Sequence, residues 1–422
     1  MKKFELDWVG PVPPQWHRQP LKALFHQHKE KNKGLVETNL LSLSYGRIVR
    51  RDINQRGGLL PESFESYNIV SDGDIVLRLT DLQNDQKSLR TGQVREKGII
   101  TSAYITLRAN HAINTDYFQA LLESYDYKKV FYSMGGGVRQ GLNYNDISSL
   151  PLLVPPASEQ DSIAEFIYNK KTEVDGLVEK LQREVQLLER YRRELIAHTV
   201  TRGLNPDVPM KDSGIEWIGV GPANWTPVSA KAIFVRRTEF ERGGDVHLTP
   251  SQMFGVLPQE EFIAVSGVKP TLKLSDSGKM KHVEPGDFII HLRSFQGGLE
   301  YSEYRGKVSA AYTVITPRNN QLVDRGFFRW LFKSTPFVTN LASLTNQLRD
   351  GQSINFKTFS KTSYLLPSLV EQQAIAAFLN RKTEEIDSAI EGINRQIELL
   401  GKYRKQVIND AVTGKIRVGE VA

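Results

Sequence analysis

Cations crowd into a few short stretches of this chain. In "LSYGRIVRRD", Arg47, Arg50 and Arg51 follow Tyr45 within seven positions. A guanidinium can hold a phosphate or fork onto the edge of a guanine, and a tyrosine ring can pack against a sugar or a thymine methyl. Lys87, Arg90 and Arg95 lie in the polar stretch after "GDIVLRL", and Lys279, Lys281, Arg293, Arg305 and Lys307 flank "GDFIIHL" further along, with Tyr301 and Tyr304 among them. Arg139 in "GGVRQG" and Arg349 in "NQLRDG" follow matching turns. The chemistry on offer is a grip on a polyanion. Each side chain has a plainer reading beside that one, as a solvated or fold-stabilising cation or as a turn or core tyrosine, and spacing alone does not separate the two.

Catalytic signatures are missing. There are no cysteines, which excludes disulfides, a thiol nucleophile and a thiolate zinc site, and the eight histidines are scattered. The glycine-rich "SMGGGVRQG" has neither the lysine nor the spacing of a P-loop, and neither GxGxxG nor HExxH occurs. "PLLVPPAS" lacks the Asn or Asp before Pro-Pro-aromatic with which amino-methylating enzymes hold a target amine. No spacing selects a metal-binding group from the 48 acidic residues. The reading is of a chain without catalysis, metal or cofactor of its own, with a stand-alone DNA-modifying enzyme and a structural hub without nucleic acid kept as alternatives. A formal net charge of +7 favours a polyanionic partner. No apolar run approaches the roughly 18 residues that a spanning helix needs, so the expectation is a soluble, cytoplasmic protein without a membrane partner.

These candidates must be positioned by something, and the chain says nearly the same thing twice. "WVGPVPPQWHRQPLKALF" from Trp8 returns 209 residues later as "WIGVGPANWTPVSAKAIF" from Trp217. "SDGDIVLRL" is answered by "EPGDFIIHLR", "SAYITL" by "AAYTVI", and "GGVRQGLNYNDI" by "NQLRDGQSINFKTF". Each GD pair precedes an apolar run, where glycine can take the turn and the next residues a buried strand. A period of about 210 residues is that of a duplicated domain rather than a solenoid.

Each half ends in a proline-free segment rich in helix formers, residues 159–200 and 371–412, with prolines at 155, 156 and 367 just ahead. One column of sevens is apolar throughout: Ile167, Val174, Leu181, Leu188 and Leu195, repeated as Leu379, Ile386, Ile393, Leu400 and Val407. A second column supplies Ile163, Leu177 and Tyr191, then Ile375, Ala389 and Tyr403, but is polar at Lys170 and Glu184 and again at Lys382 and Gln396. The two columns predict a coiled-coil seam with a register marker, and Phe166, Val178, Val185 and Leu187 flank it as a wider stripe that could also touch the globular halves. Such helices need partners. They either find each other within the chain, antiparallel if the halves are related by a two-fold, or join two separate chains.

The predicted fold class is α+β: two similar mixed α/β globular domains joined by two long helices packed as an intramolecular antiparallel coiled coil, with pseudo-two-fold symmetry. The expected divisions are residues 1–158 and 215–370 for the globular domains, 159–200 and 371–414 for the helices, 201–214 for a linker and 415–422 for a tail.

The repeated openings, "LLSLSYGRIVRRD", "GDIVLRLTDLQND", "GIITSAYITL", "MGGGVRQGLNYNDI" and the two "EQ...IA.F" helices together resemble the specificity subunit of a type I restriction and modification system, over essentially the whole chain. The resemblance implies two target-recognition domains, each binding one half of a split double-stranded DNA sequence. It implies antiparallel helices that set the spacing and dock two methyltransferase subunits, with endonuclease and translocase subunits joining a larger assembly. S-adenosylmethionine, ATP and Mg2+ are then expected on those partners. Features shared by the halves should serve fold, phosphate holding and docking, and features that differ should include those that read bases.

Overall fold

The computed structural model describes residues 9–53, 61, 63–82, 89–134, 141–270, 280–291, 294–344 and 354–418. The chain divides into two compact units, residues 1–181 with 394–422 and residues 182–393. In the first, strand Phe25–His28 pairs with Ile105–Ala109, then Ile75–Leu77, then Thr91–Gln93, all antiparallel. The second unit repeats that order with Phe234–Arg236, Thr313–Pro317, Phe288–Ile290 and Glu300–Tyr301. The central strands "IVL" and "FII" are buried along their length, as a continuous apolar run requires.

Each unit is closed by a ladder between its entry and exit strands, His17–Pro20 with Pro151–Val154 and Thr226–Ser229 with Ser363–Leu366. Proline follows each exit strand, where a missing N–H ends a ladder and suits the approach to a helix. The long helices Ala157–Arg202 and Leu369–Val412 begin there. The glutamine of each "EQ" stitches this corner: Gln160 Nε2 donates to the Pro155 carbonyl at 2.9 Å and Gln372 Nε2 to that of Pro367 at 3.0 Å. The stretch expected as a linker contains a short strand, Met210–Asp212, paired with Val220–Pro222.

Outside the repeated sheet the units differ. The hairpin of Leu41–Ser44 with Arg47–Arg50 and the pair of Asn68–Val70 with Gly98–Ile100 are separate two-stranded sheets. In the second unit, Val246–Ser251, Gly255–Pro258, Lys281–Val283 and Gly306–Val308 make one four-stranded sheet, joined by a parallel pairing of Val246–Ser251 with Gly306–Val308.

The GD turns are fold devices. Gly73 and Gly286 have φ of 85° and 91°, which a side chain would strain. Asp74 accepts from the Ser71 N–H and Asp287 from the Glu284 N–H, both at 2.9 Å, closing the turn. Each buried carboxylate is also forked by an arginine, Asp74 by Arg108 at 2.8 and 2.7 Å and Asp287 by Arg237 at 2.6 and 3.0 Å. Arg108 lies on Ile105–Ala109, whereas Arg237 directly follows Phe234–Arg236, so the same ion pair is supplied from neighbouring strands of the same sheet.

Arg90 corrects an expectation. Its side chain is fully buried rather than facing a polyanion. It donates to the Thr80 carbonyl at 2.8 Å, the Asp81 carbonyl at 3.2 Å and the Tyr132 hydroxyl at 3.3 Å. The turn at Asp81, with φ of 57°, points carbonyls inward, and a guanidinium's several donors satisfy them. The backbone N–H of Arg90 donates to Asp126 at 2.6 Å, and burial pushes the Asp126 carboxyl up to about 6 against that bond and the nearby Lys129 and Arg90.

The helices are antiparallel within each unit. In the first, Ile163 and Ile167 from the start of one helix share a core with Ile408, Ala411 and Val412 from the end of the other. In the second, Ile196 and Val200 share a core with Ile375 and Leu379. One ion pair occurs twice with the helices exchanged: Arg404 to Asp175 and Arg192 to Asp387, both at 2.7 Å. Arg192 and Arg404 are related by the 212-residue repeat, as are Asp175 and Asp387.

The seam itself needs correction. The column from Ile167 and its counterpart from Leu379 are buried or half-buried throughout. The second column turns outward after its first member: Leu177 is 42% exposed, Tyr191 52% and Tyr403 48%, and Ala389, Glu184 and Gln396 are exposed. The covered neighbours lie on the other side of the apolar column, Lys171, Val178, Val185, Arg192 and Thr199, with Thr383, Ile390, Ile397, Arg404 and Ala411. This side wins because its middle layers are β-branched and apolar and its charged members have partners, including Lys171 with Glu123 at 2.8 Å.

Replacing Asp287 by Ala opens the turn and leaves Arg237 with Glu239 alone, and it should destabilise the second unit by about 2–3 kcal/mol. Hydrogen exchange should show lost protection at 288–290 and 313–317, with strands 75–77 and 105–109 unaffected. A second expectation concerns pH. The Asp126 carboxyl titrates near 6 when folded and at about 3.9 when unfolded. The folded state therefore holds more protons between those values, and first-unit stability falls as pH rises from about 4 to about 6. Asp126→Asn keeps an acceptor for Arg90 and removes the buried charge. It should gain on the order of 1–3 kcal/mol at pH 7 and flatten that slope in denaturant titrations.

Candidate nucleic-acid interface

The two-residue turn of the first-unit hairpin sets out Tyr45, 78% exposed with φ of 47°, followed by Gly46. Arg47 and Arg50 begin and end the second strand with exposed side chains. Arg47 bonds Asp175 at 2.7 Å, tying the hairpin to the long helix of its own unit. Arg50 forks onto Glu96 at 2.8 and 3.0 Å and holds that carboxyl below the usual range. Arg51 is exposed, and Arg95 pairs with Asp116 at 2.6 Å. The structure thus gathers Tyr45, Arg47, Arg50 and Arg51 on one hairpin. It also spends two of the three arginines on surface ion pairs, which are worth about 0–1 kcal/mol and exchange readily for a phosphate.

In the second unit, Lys281 is half-buried with its ammonium on the Tyr312 carbonyl, and Lys307 is paired with Glu241. Arg305 is exposed, 3.5 Å from the Asp245 carboxylate. Tyr301 is half-buried, its ring 5.4 Å from that of Phe288 and beneath the Arg329 guanidinium at 5.3 Å. Tyr304 packs on the cluster of Leu248, Val283 and Val308. Both tyrosines serve their unit's packing. Lys87, Arg139, Lys279, Arg293 and Arg349 lie outside the described residues.

Sequence reasoning missed one buried polar cluster. His282, fully buried, bridges Asp245 and Glu284 at 2.7 Å each, and Arg242 reaches Glu284 at 3.3 Å. The bond from His282 holds the Glu284 carboxyl low. The run "RRTEFERGGD" carries Arg237, Arg242 and Asp245, but nothing in it announces that a histidine some forty residues on completes the set. The long helices also display a repeated apolar pair, Leu187 with Tyr191 and, 212 residues on, Leu399 with Tyr403, all exposed and each pair one turn apart. Among the described residues no group of three or more His, Asp or Glu is arranged to hold a metal ion. No described helix is long and apolar enough to cross a membrane.

Comparison with known proteins agrees with this geometry. Residues 241–399 match the type I restriction modification DNA specificity domain. The putative type I restriction enzyme MjaX specificity subunit of Methanocaldococcus jannaschii is 22% identical over 99% of this chain and 97% of its own length. The MjaVIII specificity subunit of the same organism is 24% identical over 83% of this chain and 80% of its own. Among solved structures, a chain of a type I R-M system described for its complex assembly and conformational transition superposes with a TM-score of 0.69 at 15% identity, covering 96% of this chain and all of that one. The HsdS subunit from Thermoanaerobacter tengcongensis superposes with a TM-score of 0.53 at 15% identity, covering 96% and 99%. Residues 241–399 thus match the specificity domain of type I restriction-modification systems, and the whole chain is similar to their specificity subunits.

Proposed function

We propose that this chain is the non-catalytic DNA-recognition subunit of a type I restriction-modification complex and reads a bipartite target, one half-site for each globular domain, 1–158 and 215–370. The observation that carries the reading is the duplication: one sheet order occurs twice, and both long helices contribute a half to each unit. One globular domain covers one continuous patch of duplex, whereas two on a common strut reach two sites across DNA that is never read.

Within each domain, exposed cations hold phosphates and set position, and groove contacts supply sequence. Arg50, Arg51 and Arg95 are the phosphate-holding candidates of the first domain and Arg305 of the second, with Lys87, Arg139, Lys279, Arg293 and Arg349 as further candidates. The helices fix the spacing and dock two methyltransferase subunits, for which the repeated Leu187–Tyr191 and Leu399–Tyr403 pairs are suited. Endonuclease and translocase subunits complete the assembly, and S-adenosylmethionine, ATP and Mg2+ belong to those partners.

Exchanging residues 215 to 365 for the matching region of another specificity subunit should change one half-site and leave the other intact. Genome-wide mapping of methylated adenine, with the partner methyltransferase present, reads this directly, and simultaneous change of both half-sites would refute independent reading. The spacing role has its own test. Adding one heptad to each helix, after Glu179 and after Glu391, lengthens both by about 10 Å and keeps the apolar column in phase. Both half-site sequences should survive while the preferred number of unread base pairs shifts. Binding to a DNA series of fixed halves and varied spacing measures it, and a folded double mutant with the parental optimum would sink the ruler.

A further inference from the structure

Tyr45–Gly46 and Phe254–Gly255 stand 209 residues apart, the same offset as the repeated openings; the first pair is the whole two-residue turn of its hairpin, and in the second Phe254 ends a three-residue loop and Gly255 opens the returning strand. Both glycines have positive φ, 79° and 69°. The strands around them have diverged, "RIVR" against "VLPQ", so an aromatic followed by glycine is what the two tips keep in common. Both aromatics stay accessible, Tyr45 almost wholly and Phe254 at 38% with Met253 beside it at 81%. Each tip is nonetheless anchored: the first through Arg47 on Asp175, the second through Gln252 on the Gln296 carbonyl at 3.3 Å.

Each tip overhangs a cavity of its own unit. In the first unit this is about 500 Å³, floored by the long helices at Lys171, Asp175 and Arg404. In the second it is about 790 Å³, floored by Arg192 and Ile196 and walled by Trp330. Arg192 and Arg404 are repeat equivalents, so the two cavities share one floor position as well as an aromatic at the lip. An aromatic held rigidly at the lip of a concave surface has little left to lose in ordering, which is the character of an interface anchor.

We propose that each tip and its cavity form one of two equivalent docking cradles, which receive the same apolar anchor from two copies of one protein partner. The proposal rests on the reading of this chain as the subunit that recruits two methyltransferases, and it adds a contact off the helices. A protein fits better than DNA for two reasons. Residues that read bases must differ between half-sites, and these tips recur. The cations lining the cavities, Arg193 apart, already face carboxylates, among them Arg47 and Arg404 on Asp175, Arg192 on Asp387 and Lys333 on Glu300. A phosphate chain would have to break those pairs, whereas an apolar side chain against the ring would leave them intact.

The test uses the full chain and the type I methyltransferase subunit as the probe, with copies counted by native mass spectrometry and affinities taken from calorimetry. Tyr45→Ser and Phe254→Ser should each weaken one of the two sites by about 30-fold and leave one bound copy at a concentration that saturates the parent. The double variant should lose both, and Tyr45→Phe and Phe254→Leu should restore binding. Unfolding temperatures and DNA affinity without methyltransferase should match the parent. Two copies bound at parental affinity would overturn the cradle alone, as would a loss confined to DNA binding. A parent chain that recruits no methyltransferase at all would overturn the function on which the cradle rests.

Discussion

Two apolar columns, each running the length of a helix of more than forty residues, cannot stay in water, and covering them is the constraint on which the rest of this molecule depends. Antiparallel pairing covers both. It also seats the start of each helix beside the end of the other, and at each such junction the globular unit adds its own core: Phe118 and Leu122 over Ile163 and Ile408, Phe328 and Phe337 over Ile196 and Ile375. At roughly 1.5–3 kcal/mol for each fully buried large aliphatic side chain, these junctions contribute more than any exposed ion pair along the helices. The Arg404–Asp175 and Arg192–Asp387 pairs act instead on register, because each matches a cation to the carboxylate that the repeat places opposite it.

Duplication shows which interactions the fold cannot do without and which can be supplied in another way. The aspartate of each GD turn is kept, since it closes the turn and sits buried where an unpaired carboxylate is costly. Its arginine has moved between neighbouring strands, from position 108 in the first unit to 237 in the second. The buried carboxylate specifies a guanidinium within reach, not the strand that carries it. The second layer is freer still, two separate ladders in one unit and a single four-stranded sheet in the other. Around the shared aromatic–glycine pair of its hairpins, that is the layer in which two copies of one scaffold can come to present different surfaces.

Much of this was decided by local sequence. The two-fold repetition of motifs, the apolar strands after each GD, the prolines before each long helix and the apolar column from Ile167 act over short range, and the chain declares them through residue type and spacing. Their tertiary counterparts match: the sheet order recurs, the helices span Ala157–Arg202 and Leu369–Val412, and the column is covered. What only the folded chain decided concerns which neighbour a side chain meets. Spacing alone puts Leu177 and Tyr191 in the seam beside the apolar column, and the choice of Val178 and Val185 instead followed from where the opposing helix lies. Arg50 and Arg90 look alike in a string of letters, yet one lies on the surface and the other is fully buried under the carbonyls of a turn. His282 meets Asp245 because the strand Lys281–Val283 comes beside the turn that ends at Asp245, nearly forty residues earlier in the chain. Charge and periodicity are properties of a segment and can be read from it, whereas burial and pairing are properties of two segments together, and the distance between them exists only once the chain has folded.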